Sequence, residues 1–396
     1  MQPKRTDRLK LPKPDASGAS HSRAVAAAIR LAIDNAGGSI SFAEYMQQVL
    51  YAPGLGYYAA GAAKFGAAGD FVTAPELSPL FGAVLAQQSA RVFEQLGGGD
   101  LLEPGAGTGA LAVSILRKLS DLDALPRRYL ILEVSPDLQE RQERRLHAEV
   151  PEFASKVTWI EQLPENFSGV VIANEVVDAL PVERFRISDG KVLQARVSVE
   201  GSRFVWVYAD APPVLQNAVK QIEADLGVEF AEGYESEVSL SAQHWVSDLA
   251  RAVSSGFIFI IDYGLSRREY YARERNQGWL RCHFRHHAHN EPLIFPGIQD
   301  VTAWVDFSAI AEAASSSDMT VAGYVTQAEL LLHGGLQDEL ADFSTLSATE
   351  QAKLSGQVKL LTLPAEMGEN FKCLGLSRGD LSVPPALSMS DRTHRL

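Results

Sequence analysis

Glutamate and glycine residues follow one another closely in E-P-G-A-G-T-G, which runs from Glu103 to Gly109. An apolar pair precedes this stretch and a helix-forming segment follows it, so the pattern predicts a strand, a glycine turn and a helix, the arrangement of a nucleotide site. Gly105, Gly107 and Gly109 form G-x-G-x-G, whereas a dinucleotide site prefers G-x-G-x-x-G. A carboxylate before the turn would repel a pyrophosphate but can pair with the sulfonium or amino group of a methionine moiety. The stretch therefore favours S-adenosylmethionine (SAM) over NAD; the alternative is a turn that only connects two elements.

An acidic residue also ends the second predicted strand, Tyr129–Glu133. A carboxylate at this strand tip can accept hydrogen bonds from both ribose hydroxyls of a nucleoside. NAD enzymes share the feature, so Glu133 by itself predicts a nucleoside and not its type. Glu103 and Glu133 together favour a SAM site.

Polar residues also end and follow the fourth predicted strand, Val170–Asn174: Asn174 itself, Glu175 and Asp178. In a doubly wound sheet the carboxyl end of this strand opens beside the cofactor. We therefore expect Asn174 to contact the cofactor and all of these residues to face the reacting groups. The alternative is that Asn174 only satisfies backbone groups and that Asp178 caps the next turn.

Methyl transfer from a sulfonium requires an uncharged nucleophile aligned behind the methyl group, and orientation matters more than strong acid–base help. Carboxylates suit a guanidinium acceptor, because a pair of them can grip the cation through bidentate hydrogen bonds. Glu175 and Glu183 flank a short turn and are predicted to form such a pair, with Glu76 as a further acid over the site. Asp262 and Tyr263 end the fifth predicted strand at the same rim, so we expect them to contact the substrate as well.

Histidines are crowded in C-H-F-R-H-H-A-H, from Cys282 to His289. Their spacing does not match a metal site, and no carboxylate or thiolate set completes one, so we expect no bound metal. The alternative is a basic loop that orders when the substrate binds. In that interpretation His286 is one of the substrate contacts.

The elements that must position these residues follow from hydrophobic periodicity. Residues 22–36 predict a first helix, and Ser41 with Glu44 predicts a capping box for a second. From Asp100 onwards apolar runs with polar ends alternate with helical patterns, which predicts an α/β fold with a doubly wound parallel sheet. The predicted core strands are Leu101–Glu103, Tyr129–Glu133, Val157–Ile160, Val170–Asn174 and Phe257–Asp262.

The expected domain organisation has a disordered leader at one end and a frayed tail at the other. Between them we expect, in chain order, an N-terminal helical cap with a glycine-rich active-site loop (21–98), a SAM-binding core (99–190), an inserted α+β subdomain (191–254), and the remainder of the core with a long substrate loop at 264–306 (255–380). The leader covers 1–20 and the tail 381–396.

The composition excludes several classes of protein. A net charge of −13 argues against wholesale binding to nucleic acid or anionic membrane. Apolar runs stay shorter than a membrane span requires, and Cys282 and Cys373 are too few for a disulfide framework. Without a recognisable secretory signal we expect a cytoplasmic protein. The sequence leaves a homodimer open.

Several longer motifs occur in a fixed order along the chain. They are G-D-F-V-T-A-P-E, E-P-G-A-G-T-G, N-E-V-V-D-A-L-P-V, I-D-Y-G followed by E-Y-Y, P-G-I-Q-D-V-T-A-W-V-D-F and M-G-E-N-F-K. Together they resemble the MidA family, the bacterial relatives of the mitochondrial complex I assembly methyltransferase. The resemblance spans residues 25–376 and rests most strongly on the third and fifth strings.

The resemblance implies a class I, Rossmann-like methyltransferase fold and SAM as cofactor. It implies a protein-arginine methyltransferase whose partner is a protein with an exposed arginine, a respiratory complex I subunit in the mitochondrial branch. In this reading Gly105, Gly107 and Gly109 hold the cofactor, Glu133 its ribose, and Asn174 with Glu175 the reacting end. Two alternatives stay open: an assembly chaperone that binds SAM without turnover, and a small-molecule methyltransferase.

Overall fold

The computed structural model describes residues 11–59 and 73–396. The helices are α1 (Ala16–Asn35), α2 (Phe42–Tyr51), α3 (Ala74–Leu77), α4 (Pro79–Leu96), α5 (Ala110–Asp121), α6 (Pro136–Glu149), α7 (Pro213–Leu226), α8 (Leu240–Ala252), α9 (Arg267–Tyr270), α10 (Phe307–Ser315), α11 (Gln327–His333), α12 (Ala348–Thr362), α13 (Met367–Asn370) and α14 (Pro385–Ser388). The strands are β1 (Ile40–Ser41), β2 (Asp100–Pro104), β3 (Tyr129–Leu132), β4 (Val157–Ile160), β5 (Phe167–Asn174), β6 (Glu183–Ser188), β7 (Lys191–Glu200), β8 (Arg203–Asp210), β9 (Glu235–Val238), β10 (Val253–Leu265), β11 (Leu280–Phe284), β12 (His287–His289), β13 (Asp300–Ala303), β14 (Val305–Asp306), β15 (Thr320–Thr326) and β16 (Phe371–Arg378).

These elements belong to two compact units, each assembled from several stretches of the chain. The large-sheet unit comprises 73–177, 243–266 and 305–396, and the small-sheet unit comprises 11–59, 178–242 and 267–304. The predicted glycine-rich active-site loop falls mainly at 60–72, outside the described residues.

The large-sheet unit is built on an eight-stranded sheet in the order β15-β16-β10-β5-β2-β3-β4, with β14 paired to the end of β10. The strands from β10 to β4 are parallel to one another. β16 is antiparallel to both β10 and β15. The predicted α/β fold with a doubly wound sheet is therefore confirmed, with one antiparallel strand inside it. Chain order reverses between β2 and β5, and ligands bind at such switch points, beyond the carboxyl ends of the strands.

The central strands of this sheet are largely apolar because helices cover both of its faces. In β10 every side chain from Phe257 to Ile261 is buried. The β10 side chains on one face of the sheet belong to a core that also contains Phe81 and Val84 of α4. α4 belongs to this unit and not to an N-terminal cap, because it packs closely on α5: a Cβ at Gly82 would lie 2.0 Å from Ser114 Oγ.

The small-sheet unit contains a sheet in the order β1-β7-β6-β9, with β8 paired to β7, and a three-stranded sheet in the order β12-β11-β13. Its core includes Val25, Ile29 and Ile33 of α1 and Phe42 and Tyr45 of α2. α2 begins with the predicted capping box, in which Ser41 and Glu44 exchange hydrogen bonds of 3.1 and 2.7 Å.

The expectation of a long substrate loop at 264–306 is wrong, because the three-stranded sheet and α9 occupy much of this segment. Arg285 and His286 both have left-handed backbone angles (φ +48° and +62°), so they form a two-residue turn between β11 and β12. Cys282 and Val301 point into the core from β11 and β13. The polar residues between them hide this alternation in the sequence.

Both ends of the described chain are more ordered than the sequence suggests. α1 begins at Ala16, before the expected start at residue 22, because the Asp15 carboxylate accepts a hydrogen bond of 2.8 Å from Gly18 N. The expected frayed tail contains α14, whose Ala386 and Leu387 are fully buried. Among the helices that the structure describes, none has the length and hydropathy of a membrane span.

Candidate functional site

The glycine turn lies between β2 and α5 at the switch point of the large sheet. Gly105, Gly107 and Gly109 have φ values of +66°, +54° and +82°, a backbone region that other residues rarely adopt. Gly105 N donates to Leu132 O at 3.0 Å, which ties the turn to the end of β3. A Cβ at Gly107 would meet no heavy atom of the described chain within 4 Å. The turn therefore presents bare backbone to a ligand.

Glu103 lies on β2, two residues before the turn. Its side chain is 3% exposed, and Tyr129 Oη donates to its Oε2 at 2.5 Å. Burial raises the pKa of Glu103 to about 7, although the tyrosine hydrogen bond acts in the opposite direction. A cation that binds nearby would favour the ionised carboxylate, as expected for the ammonium or sulfonium of SAM.

Glu133 follows β3 and is held in place from two sides. Ser135 N donates to its Oε1 at 2.9 Å and Gln142 Nε2 to its Oε2 at 3.2 Å. Burial raises the pKa of this carboxyl above the usual range, and the two hydrogen bonds oppose the effect. A carboxylate has about four lone-pair positions, so it can still accept two ribose hydroxyls. The next residue, Val134, is 71% exposed, an apolar surface that an adenine ring would cover.

Asn174 and Glu175 lie at the carboxyl end of β5, across the switch point from the glycine turn. Asn174 Nδ2 donates to Glu175 Oε1 at 3.2 Å. Asn174 Oδ1 is buried and has no hydrogen-bond partner among residues 11–59 and 73–396. Buried acceptors are normally satisfied, so this oxygen suits an N–H donor on a ligand. These features, with the bare turn and Glu133, fit a bound SAM.

Glu175 has a left-handed backbone, with φ of +52°. Its N–H donates to Ile261 O of β10 at 2.9 Å, which holds the residue in that conformation. Such a backbone costs about 1–2 kcal/mol for a residue other than glycine and is typical of functional sites. The strain turns the chain sharply at the end of β5 and leaves the Glu175 side chain partly exposed.

Asp262 lies inside β10, which continues to Leu265, and not at the end of its strand. Its side chain has no exposed surface, and its two oxygens accept hydrogen bonds from Val177 N at 3.0 Å and Tyr263 N at 2.9 Å. It therefore fixes the backbone that follows Glu175, and its predicted substrate contact stays a prediction. Tyr263 is partly exposed and packs edge-on against Phe371, with ring centroids 5.5 Å apart.

Glu76 reaches the glycine turn, although not as an unengaged acid. Its Oε1 accepts hydrogen bonds from Thr108 Oγ1 and, at 2.8 Å, from Arg145 Nη1. Arg145 also contacts Thr108 Oγ1 at 2.7 Å. The predicted substrate acid thus anchors α3 to the turn and to α6.

The other predicted substrate residues belong to the small-sheet unit. Asp178 is buried, and its carbonyl accepts a hydrogen bond of 2.9 Å from Ala303 N. Glu183 begins β6 and accepts a hydrogen bond of 2.9 Å from Gln194 Nε2. His286 is exposed at the tip of the β11–β12 hairpin. The pairing of Glu183 with Glu175, the catalytic role of Asp178 and the substrate role of His286 stay predictions. Among the described residues, no three His, Cys, Asp or Glu side chains form a metal-binding group.

The sequence does not indicate the site roles of two residues, Tyr129 and Gln142. The sequence predicts Tyr129 only as the start of a strand, whereas in the structure its hydroxyl donates to Glu103. Gln142 contacts both the glycine turn and Glu133. The available signal for Gln142 is its place between Leu138 and Leu146 on the buried face of α6.

Comparison with known proteins places the whole chain among methyltransferases. The family model described as "putative S-adenosyl-L-methionine-dependent methyltransferase" matches residues 84–325. The Drosophila melanogaster protein named "protein arginine methyltransferase NDUFAF7 homolog, mitochondrial" is 29% identical over 381 residues, covering 87% of this chain and 83% of the relative. The Bos taurus protein arginine methyltransferase NDUFAF7, mitochondrial, is 30% identical over 380 residues, covering 86% of this chain and 80% of the relative.

Solved structures are similar over nearly the full length. A crystal structure from Burkholderia thailandensis bound to S-adenosyl-homocysteine is 40% identical, with a TM-score of 0.93, and the match covers 98% of this chain and 100% of that one. A native structure from the same organism is 39% identical, with a TM-score of 0.91 and the same coverage.

Proposed function

Because this chain belongs to the MidA family of SAM-dependent methyltransferases, we propose that it transfers a methyl group to an arginine side chain of a protein. SAM is the cofactor of the family, and a similar structure holds its product, S-adenosyl-homocysteine. The relatives named above are protein arginine methyltransferases. We further propose a cytoplasmic location and a respiratory complex I subunit as the acceptor, the kind of acceptor that the resemblance implies for the mitochondrial branch of the family.

The observation that carries the proposal is the position of Glu175. It is a partly exposed carboxylate on a strained backbone, at the carboxyl end of the strand that faces the glycine turn across the switch point. A guanidinium is a planar cation with several N–H donors, so a carboxylate can both attract and orient it. A cationic acceptor gains more from this charge than a neutral one, because hydrogen bonds between ionised partners are the stronger ones.

SAM supplies an electrophilic methyl group on a sulfonium. A bond would form between the arginine nitrogen and the methyl carbon, the carbon–sulfur bond would break with its electron pair left on sulfur, and one proton would pass from the nitrogen to solvent water. Glu175 would accept guanidinium N–H bonds and aim the attacking nitrogen. Asn174 steadies the Glu175 carboxylate through its amide, and Asp262 fixes the following backbone.

The test uses the purified protein, radiolabelled SAM and a lysate of the host that lacks this gene. We expect a labelled protein band that yields methylarginine on hydrolysis, and we expect Glu175→Gln to abolish the label while it binds S-adenosyl-homocysteine normally. Glu165→Gln, a change at an exposed glutamate before β5, should label the band like the wild type. Label in small molecules only, label on another residue type, or SAM binding without any transfer would each contradict the proposal.

A further inference from the structure

α6 is a polar helix with a glutamine on its buried face. Its sequence, P-D-L-Q-E-R-Q-E-R-R-L-H-A-E, places Leu138, Gln142 and Leu146 four residues apart, and these are its buried residues. Gln142 has no exposed surface at all. A buried amide is unfavourable unless its donors and acceptor are satisfied, so a glutamine where leucine would pack indicates specific polar partners.

The partners of Gln142 use both ends of its amide. Trp159 Nε1 donates to Gln142 Oε1 at 2.7 Å. An indole N–H can only donate, which fixes the oxygen of the amide toward Trp159 and the nitrogen away from it. Gln142 Nε2 then donates to Gly107 O at 3.0 Å and to Glu133 Oε2 at 3.2 Å.

We propose that Gln142 is a positioning residue for the cofactor, which sets the distance between the glycine turn and the Glu133 carboxylate. These two parts of the site serve different parts of SAM: the bare turn at Gly107 suits the methionine moiety and Glu133 suits the ribose. One amide group contacts both, and it is held from the third side by Trp159. A ligand that bridges the turn and the ribose acceptor therefore needs the spacing that Gln142 imposes.

A second contact of the same helix supports this role. Arg145, three residues further along α6, contacts Thr108 Oγ1 of the glycine turn at 2.7 Å. Gly109 also packs on the helix: a Cβ there would lie 3.5 Å from Gln142 Cα. α6 thus contacts three consecutive residues of the turn, and among the described side chains of this helix Gln142 is the one that also donates to the Glu133 carboxylate.

The test measures the affinity of the full-length protein for S-adenosyl-homocysteine and for 5′-methylthioadenosine, which lacks the amino-acid part, by calorimetry. Gln142→Met keeps the volume and removes the polar contacts, whereas Gln142→Glu keeps the shape and the acceptor for Trp159 but removes the donors. Loss of a hydrogen bond to a charged group weakens binding about tenfold to a hundredfold, and we expect this loss in both variants for S-adenosyl-homocysteine, which spans the turn and Glu133. We expect a clearly smaller loss for 5′-methylthioadenosine, because it lacks the part that suits the turn. The control is Gln139→Met, since within the described part of the chain the Gln139 side chain donates to the main-chain carbonyl of Glu133, at 2.6 Å, and not to the carboxylate; this variant should bind like the wild type.

A double-mutant cycle separates positioning from general packing. If Gln142 acts through Glu133, Gln142→Met should weaken binding of S-adenosyl-homocysteine at least about tenfold in the wild type but less than about threefold beside Glu133→Gln. Equal losses in both backgrounds would overturn the proposal, and so would wild-type affinity in Gln142→Glu. If Gln142→Met does not fold, judged by circular dichroism, the same cycle is run with Gln142→Glu, and the same two criteria decide.

Discussion

The Glu103→Gln substitution should change how the stability of the unliganded protein depends on pH. Burial raises the pKa of Glu103 from the ordinary 4.5 to about 7. At about 1.4 kcal/mol per pH unit, this difference corresponds to about 3 kcal/mol of unfolding free energy. Because the pKa in the folded state is the higher one, the favourable contribution is fully present below pH 4.5 and is lost as the pH rises through about 7.

The measurement is urea unfolding of the wild type and of Glu103→Gln at a series of pH values from about 4.5 to about 8. The wild type should lose about 3 kcal/mol relative to the variant over this range, since glutamine does not titrate. Tyr129→Phe removes the hydrogen bond that favours the ionised carboxylate, so the pKa of Glu103 in the folded state should rise further, and the loss should become larger and extend to higher pH. A wild type and variant that differ by a constant amount at every pH would refute the reasoning.

Cofactor binding should show the opposite dependence on pH. A cationic ligand pairs with ionised Glu103, so wild-type affinity for SAM should rise as the pH increases through about 7, and Glu103→Gln should abolish that rise. SAM and S-adenosyl-homocysteine share the amino group, whereas only SAM carries the sulfonium. If the affinities for both ligands rise equally with pH, Glu103 pairs with the amino group. If only the affinity for SAM rises, Glu103 pairs with the sulfonium. If Glu103→Gln leaves the affinities for both ligands unchanged, Glu103 does not interact with the cofactor.

Two further predictions concern the backbone of the site. Gly107→Val should abolish binding of S-adenosyl-homocysteine in calorimetry, because the side chain fills the open surface of a turn with φ of +54°. Gly190 has a similar φ of +68° and similar open space around it, so Gly190→Val should be destabilised comparably but retain binding. Retained binding in both variants would show that the cofactor does not bind at the glycine turn. Asp262→Asn leaves one of two backbone N–H groups without an acceptor, so urea unfolding should show a loss of about 1–3 kcal/mol. If that loop positions Glu175, turnover should fall more than cofactor affinity, and an equal fall in both would contradict a positioning role.

The elements around the glycine turn could be predicted because their signals are local. The apolar run Val157–Ile160 predicts β4 with the bounds that the structure has. The acids of E-P-G-A-G-T-G and of the second strand tip are next to the turn or the strand end that they serve. Such features depend on a few neighbouring residues, which a single sequence displays.

Other parts of the site depend on pairing between distant segments. Asp262 follows an apolar strand as Glu175 does, and only the fold shows that one carboxylate faces backbone N–H groups while the other is partly exposed. Gln142 looks like one polar residue among many in a charged helix until its partners Gly107 and Trp159 are known. The division of the chain into two interleaved units likewise depends on tertiary contacts.

The position of β16 has a consequence for how the chain is made. β16 begins at Phe371, yet it lies between β15 and β10, and β10 ends at Leu265. The ribosome needs on the order of ten seconds to make the intervening residues. During this time the edge of β10 that β16 later covers has no partner. Unpaired strand edges recruit strands from other chains. The yield of folded protein in cells should therefore depend on chaperones that shield this edge until β16 emerges.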